Sequence, residues 1–408
     1  MLFGLSAFVG VSLTNSFAPK ITLNSPPFRS QNFKVKDFCL CEAQNTANPD
    51  GFASILTKSQ HKMLISKSDS SLNALTSQKE LFLVNFKPTY KLNIISDVEF
   101  PHQIDRIQSA LSNCLHSGFF DSFDGKKIYY EYFLAEQSRG SIVVVHGLSE
   151  FTKKFYELAT YFLEQGYNVF LYDQRCHGFS DRLTDNFDLI HVDRFEDYVR
   201  DLETYIDNIV RPTSNKPINI YSHSMGGAVS LLYLAKHQDL IQKAVLSAPM
   251  VEPTVEQVPA VVARYGLGFV KMFCGGKKKF SGSQEFNPEH PYRPESEPSR
   301  NRFYHNLNMR RNERHYQTSP MSLGWVYEAL ALKPKMLRNK ISKAISTPVL
   351  LLSAERDTVV QNKAQQLFAV RCPACKIEVI PNTNHSLLTG SKETLETTVT
   401  RTLEFYEE

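Results

Sequence analysis

The chain has 408 residues, 42% hydrophobic and 22% charged, a composition that can bury a large core and excludes a disordered or fibrous protein. A formal net charge of +4 is too small and too evenly spread for a nucleic-acid surface, so no nucleic-acid partner is expected, although contact with an anionic membrane surface stays compatible. Seven cysteines, odd in number and scattered, argue against a dense disulfide framework.

At the N-terminus, Leu2 to Leu13 form a short apolar run ending near Ser16-Phe17-Ala18, a small-x-small pattern of the kind signal peptidase cuts. No Lys or Arg precedes the run and Pro19 would follow the cut. Export, a retained membrane-binding leader and a disordered leader are therefore all open, and without such a signal the chain would be cytoplasmic. A spanning helix needs roughly 18 or more apolar residues, and no later segment supplies them. Pro19 to about Thr76 is rich in Ser, Asn, Lys and Gln without periodicity and reads as a poorly ordered arm. Leader and arm together are assigned to residues 1–80.

Residues 80–117 look mixed, with a short helix around Ile104 to Leu115. From Gly118 onward, strands are expected at Gly118 to Phe123, Ile128 to Phe133, Ser141 to Val145, Asn168 to Tyr172, Ile218 to Ser222, Lys243 to Ser247, Pro348 to Ser353 and Lys376 to Ile380. Asp124-Gly125 marks a hairpin between the first two. Continuously apolar runs such as Ile142 to Val145 and Val349 to Leu352 suit strands buried on both faces of a parallel sheet. Helices expected at Phe155 to Gln165, Phe195 to Val210, Met225 to Lys236, Asn362 to Val370 and Glu393 to Phe405 supply the crossovers. The fold class is thus α/β: a mostly parallel, eight-stranded sheet flanked by helices.

Between Met250 and Ser346 that rhythm stops. Helical pieces near Val258 to Phe273 and Trp325 to Leu337 sit among many Pro, Arg, Asn and aromatic residues, which makes residues 251–346 a candidate lid inserted between a first sheet segment, 81–250, and a second, 347–408. Cys372 and Cys375 form a CxxC, but with no second pair or histidine at zinc spacing they read as ordinary cysteines in a turn before a strand.

The sharpest motif is Ile220-Tyr221-Ser222-His223-Ser224-Met225-Gly226-Gly227, an apolar strand running into a serine and then a helix. A nucleophilic serine needs its hydroxyl lifted clear of the backbone at the carboxyl end of a strand, and a tight strand-turn-helix does this when small residues stand two before and two after it. Here they are Ser222 and Gly226. Val143-Val144-Val145-His146-Gly147-Leu148 ends another strand where a second oxyanion donor belongs, so the backbone N–H groups of Leu148 and Met225 are the candidate oxyanion hole. His146 is read as support for that loop. Asp357, just past a buried strand in Ala354-Glu355-Arg356-Asp357, suits the acid that orients a histidine. Glu355 is its rival. His385, on the loop Pro381-Asn382-Thr383-Asn384-His385, completes the order Ser, Asp, His, each residue following a successive strand.

These residues resemble the lipase-like branch of the α/β-hydrolases, which includes monoacylglycerol lipases and, more closely, bacterial lysophospholipases (serine aminopeptidase-like hydrolases). The resemblance runs from about Phe119 to Tyr406 and rests on HGLSE (His146 to Glu150), DQRCHGFSDR (Asp173 to Arg182), HVDRFEDYVRDL (His191 to Leu202), SHSMGGA (Ser222 to Ala228), SAPM (Ser247 to Met250) and AERDTVV (Ala354 to Val360). Cys176 and Ser222 depart from it, each standing where a smaller residue is usual. The resemblance implies an α/β-hydrolase fold with a lid, catalytic Ser224, Asp357 and His385, and an oxyanion hole at Leu148 and Met225. It implies no metal and no cofactor. The implied substrate is a lipid ester, a lysophospholipid first and a monoacylglycerol next, cleaved through an acyl-enzyme on Ser224. Lid residues Phe269, Phe273, Phe303, Tyr304, Trp325 and Tyr327 are read either as lining an acyl channel or as lid core, with lid core favoured for any single one, while Lys277 to Lys279 with Arg310, Arg311 and Arg314 read more readily as a solvated basic face than as a patch that meets lipid phosphates. The same catalytic parts also serve an esterase, a thioesterase, a peptidase or an acyl transferase, and a non-catalytic binding module is the reading from another class.

Overall fold

The computed structural model describes residues 82–83, 90, 92–237, 239–254 and 260–408. The leader and arm expected over 1–80 lie outside the described residues. Nine strands form one sheet: β1 (Phe82–Leu83), β2 (His116–Asp121), β3 (Lys127–Phe133), β4 (Gly140–Val145), β5 (Tyr167–Tyr172), β6 (Ile218–His223), β7 (Lys243–Ser247), β8 (Val349–Ala354) and β9 (Cys375–Ile380). Their order is β1-β9-β8-β7-β6-β4-β5-β3-β2. All eight strands expected from the sequence are present, and the two-residue β1 adds a parallel edge beside β9. The opening hairpin pairs β2 with β3 antiparallel, and β3 pairs antiparallel with β5. The remaining pairings, from β5 through β4, β6, β7 and β8 to β9, are parallel.

Because successive side chains on a strand point to opposite faces, each central strand feeds two cores. Val143 and Val145 of β4, with Val349 and Leu351 of β8, pack with Leu202, Tyr205, Val229 and Phe368 on one face. Ile142 and Val144, with Leu350 and Leu352, pack with Phe162, Val399 and Leu403 on the other. Each of these aliphatic side chains, fully buried, contributes about 1.5–3 kcal/mol relative to exposure. This two-sided demand is why β4 and β8 carry unbroken apolar runs, Ile142 to Val145 and Val349 to Leu352.

Some helix boundaries differ from expectation, each for a local reason. The first described helix is Phe100–Asn113 and not Ile104 to Leu115: Pro101 sits in its first turn, where a missing N–H costs nothing. The stretch Trp325 to Leu337 is two helices, Leu323–Ala329 and Leu332–Met336; Pro334 fits the first turn of the second but would have removed an interior hydrogen bond from a single one. Between β7 and β8 the chain also forms Ala260–Cys274 and Arg300–Asn312. The second has no apolar period to announce it, and its one sequence signal is Ser299, whose side chain caps Arg302 N–H. A disulfide joins Cys372 to Cys375, whose Cα atoms are 5.3 Å apart. That corrects the reading of two ordinary cysteines: the turn after helix Asn362–Arg371 folds them within bridging reach.

Candidate active site

β6 passes into the helix Met225–Leu234 through Ser224, whose backbone sits at φ 52°, ψ −116°, a conformation that costs a non-glycine residue roughly 1–3 kcal/mol. Neighbouring strands impose it. Ser224 N–H donates to Ser247 O at 3.0 Å, and its carbonyl accepts from Gly227 at 2.9 Å and Met250 at 2.8 Å. A Cβ on Gly226 would stand 2.1 Å from Val145 O and 2.6 Å from His146 O, so glycine here lets the helix start press against the end of β4. Gly226→Ala is expected to push these two turns apart and cut activity about 100-fold, with a lowered melting temperature. Activity and a melt like those of the native protein would show that the close approach is dispensable.

Two loops bring their side chains to this serine. His385 Nε2 lies 2.8 Å from Ser224 Oγ, and His385 Nδ1 lies 2.8 Å from Asp357 Oδ2. The Asp357 side chain is fully buried, and its other oxygen accepts N–H bonds from Val359 at 2.8 Å and Val360 at 2.9 Å. With both oxygens engaged, the carboxylate is fixed in place and its ring-facing oxygen holds Nδ1–H, which leaves Nε2 as the acceptor toward the hydroxyl. Glu355 does something else. Its Oε2 accepts the N–H of Asn382 at 2.7 Å, so it ties down the turn at Asn382, φ 58°, that delivers His385.

The turn after β4 lies against Ser224 because β4 and β6 are neighbours; a Cβ on Gly147 would be 3.1 Å from Ser224 Cβ. Among the described residues, the N–H groups of Leu148 and Met225 donate to no protein acceptor. His146 is buried, with Nε2 accepting Gln174 N–H at 2.9 Å and Nδ1 facing Gly147 O at 2.7 Å, which requires the neutral Nδ1–H tautomer and gives it the loop-supporting place expected of it. Sequence reasoning assigned no part to Glu150 or His223. Glu150 Oε2 accepts Gly147 N–H at 2.5 Å while Oε1 pairs with Lys154 at 2.7 Å. Burial alone would raise this carboxyl, but Lys154, then His223, bring it down to about 2. The signal for Glu150 was its place in HGLSE, three residues past the turn it braces.

Burial pushes both His146 and His223 down to about 4. A histidine depressed below its ordinary value of about 6.5 supports folding above that value, and the support fades as pH falls toward the folded value. Asp173, pushed up to about 7 by burial, titrates in the opposite sense, so a difference between two proteins isolates the imidazole. Relative to His223→Gln, the native chain is expected to lose about 2 kcal/mol of stability between about pH 7 and about pH 5. Parallel denaturation curves at both values would show that His223 is charged in the folded state.

The other motif segments form a brace beneath the site. Arg175 donates to both oxygens of Asp201 at 2.6 Å, both residues being buried, which joins DQRCHGFSDR to FEDYVRDL. Cys176 sits at φ 62°, a conformation glycine adopts without strain. The six aromatic residues read as acyl-channel lining or lid core fall into different environments. Phe269 and Phe273 are 63% and 70% exposed, because it is the opposite side of their helix that packs on Tyr327 through Gly268, Arg264 and Lys271. Trp325 is drawn into the main core. Phe303 lines a cavity between the insertion and the Ser149–Lys154 turn.

Residues 136–392 match the family described as serine aminopeptidase, S33. Lysophospholipase L2 of Escherichia coli K12 is 30% identical over 258 residues, covering 61% of this chain and 73% of its own length. Probable lysophospholipase L2 of Haemophilus influenzae is 29% identical over 296 residues, 69% of this chain and 90% of that one. Monoglyceride lipase of Saccharomyces cerevisiae is 25% identical over 297 residues, 66% and 85%. Among solved structures, a soluble variant of that yeast monoglyceride lipase with a substrate analogue superposes at TM-score 0.56, 19% identity, 72% of this chain and 94% of that one. A carboxyl esterase from Bacillus coagulans does so at 0.59, 15%, 72% and 98%. At such identities the structures show a shared fold.

Proposed function

Because this chain belongs to the serine aminopeptidase S33 family of α/β-hydrolases and is a serine hydrolase of its lysophospholipase and monoacylglycerol lipase-like branch, we propose that it cleaves the ester of single-chain lipids, lysophospholipid first and monoacylglycerol second. In this reading His385 takes the Ser224 proton as the hydroxyl attacks the ester carbonyl, and Asp357 stabilises the imidazolium that results. The N–H groups of Leu148 and Met225 receive the charge that develops on the carbonyl oxygen. His385 then returns the proton to the departing glycerol oxygen, and a water activated by the same ring frees the fatty acid. The single observation that carries the reading is the pair of 2.8 Å contacts linking Asp357, His385 and Ser224. Lysophosphatidylcholine, monoacylglycerol and an aminoacyl amide assayed side by side test it, with turnover expected in that order. Hydrolysis of the amide alone would overturn the lipid assignment, and acylated acceptor in place of free fatty acid would mark a transferase.

We assign the segment 251–346 as a lid that meets the lipid surface. Val262, Tyr265, Phe269, Met272 and Phe273 lie on one face of the helix Ala260–Cys274, and every one is exposed, while its cationic residues Arg264 and Lys271 turn inward onto Tyr327. Such inverted amphipathicity suits an apolar phase outside the protein, and the exposed Lys277, Lys278 and Lys279 next to it complement anionic headgroups. Phe269→Asp with Phe273→Asp is expected to weaken co-sedimentation with anionic vesicles at least about tenfold at unchanged thermal stability. Equal sedimentation of both proteins would remove the lid from the contact.

A further inference from the structure

A cavity of about 330 Å³ lies between the β7–β8 insertion and the turn that follows β4, lined among others by Ser149, Lys154, Phe286, Asn306 and Arg310. Ser149 is the residue after Leu148, so the cavity begins within about two residues of the turn that touches Ser224. Arg310 stands out in it. The arginines Arg175, Arg302 and Arg401 are paired with Asp201, Glu157 and Glu378 at 2.5–2.6 Å. Arg182 has no such partner but spends its donors on five backbone carbonyls. Arg310 has neither arrangement. Of a guanidinium's five N–H donors it gives Nε to Tyr316 O at 3.0 Å and Nη2 to Thr318 O at 3.2 Å, with Phe286 against its face at 4.5 Å. Among the described residues no carboxylate lies within ion-pair distance of it, and Nη1 finds no protein acceptor.

A partly buried cation with unspent donors at the wall of a cavity that starts two residues past Gly147, the residue packed on Ser224, has the character of an anion subsite, since an incoming anion would recover both the hydrogen bonds and the charge pairing that folding withheld. Desolvation has already brought this guanidinium down to about 10, which shows the charge being held at a cost. We propose that Arg310 recognises the phosphodiester of a lysophospholipid headgroup, with the neutral donors of Ser149 and Asn306 completing the shell. The proposal rests on the lipid-ester reading and deepens it by naming the headgroup chemistry. Glu285 and Glu297 line the same cavity; Glu285 is paired with Lys279 at 2.6 Å, and the carboxylate of Glu297 repels a bare anion and fits the ammonium of ethanolamine or choline, which favours a zwitterionic lipid over free phosphate.

Two measurements decide it. With Arg310→Gln, KM for lysophosphatidylethanolamine is expected to rise about tenfold or more at similar kcat, while monoacylglycerol kinetics stay within about twofold; parallel loss on both lipids, or no change on either, overturns the subsite. On the native protein, glycerophosphoethanolamine is expected to slow fluorophosphonate labelling of Ser224 while glycerol does not and inorganic phosphate does so less. No protection by the phosphodiester, or equal protection by inorganic phosphate, overturns the headgroup assignment, and this arm decides alone if the glutamine variant does not fold. Labelling needs no lipid turnover, so failure of the subsite stays distinct from failure of the lipid reading, which would appear as intact labelling with no lipid hydrolysed.

Discussion

Ser224→Ala is expected to lower kcat by about 10⁶-fold and to abolish labelling by a fluorophosphonate probe, with circular dichroism and melting temperature close to those of the native chain. The size follows from removing the atom that forms the acyl-enzyme: residual turnover then comes only from binding and the oxyanion donors, and groups that act as a unit lose nearly everything when one is deleted. Folding is expected to survive, because the strained φ of 52° at this position is imposed by backbone bonds to Ser247, Gly227 and Met250 and not by the hydroxyl. A folded native protein that fails to label would move the chain to the class of non-catalytic binding modules. A variant that retains hydrolysis would place the nucleophile elsewhere.

Asp357→Asn is expected to cost about 10⁴-fold in kcat, and Glu355→Gln less than about tenfold. An amide at position 357 can still accept from Val359 and Val360 through its oxygen, but it then presents N–H toward His385 Nδ1 and selects the tautomer that carries its proton on Nε2, the wrong side for taking one from Ser224. Glu355 faces Asn382 N–H, so its loss loosens the turn without touching the ring. Comparable losses from the two substitutions, measured as kcat on one soluble ester, would mean that the two carboxylates share the task and would undo the separate parts given to them.

Much of this was legible along the chain, and the exceptions have physical causes. The unbroken apolar runs of β4 and β8 report burial on both sheet faces, and Gly226 reports a backbone approach that no Cβ would allow. Both are local consequences of a long-range arrangement, so a local reading finds them. Arg300–Asn312 escapes the pattern because it buries only Phe303 and Leu307 as apolar side chains and is otherwise held by Asp97 and Glu157, too narrow an apolar stripe to read from the sequence. The exposed faces of Phe269 and Phe273 were misplaced for a related reason: periodicity says which residues share a helix face, but not which face turns inward.

From residue order and type alone came the α/β class, the eight principal strands, the segment without strands between Met250 and Ser346, and the candidacy of Ser224, Asp357, His385, Leu148 and Met225, since each depends on neighbours within a few residues or, for His385, on its place in the order of strands. Which acid faces the imidazole, and whether a half-buried arginine such as Arg310 meets a carboxylate, depend on residues tens to hundreds of positions apart. Only the sheet order and the packing of the insertion bring those groups within hydrogen-bond range, where distance and burial, and not spacing in sequence, decide how charges pair.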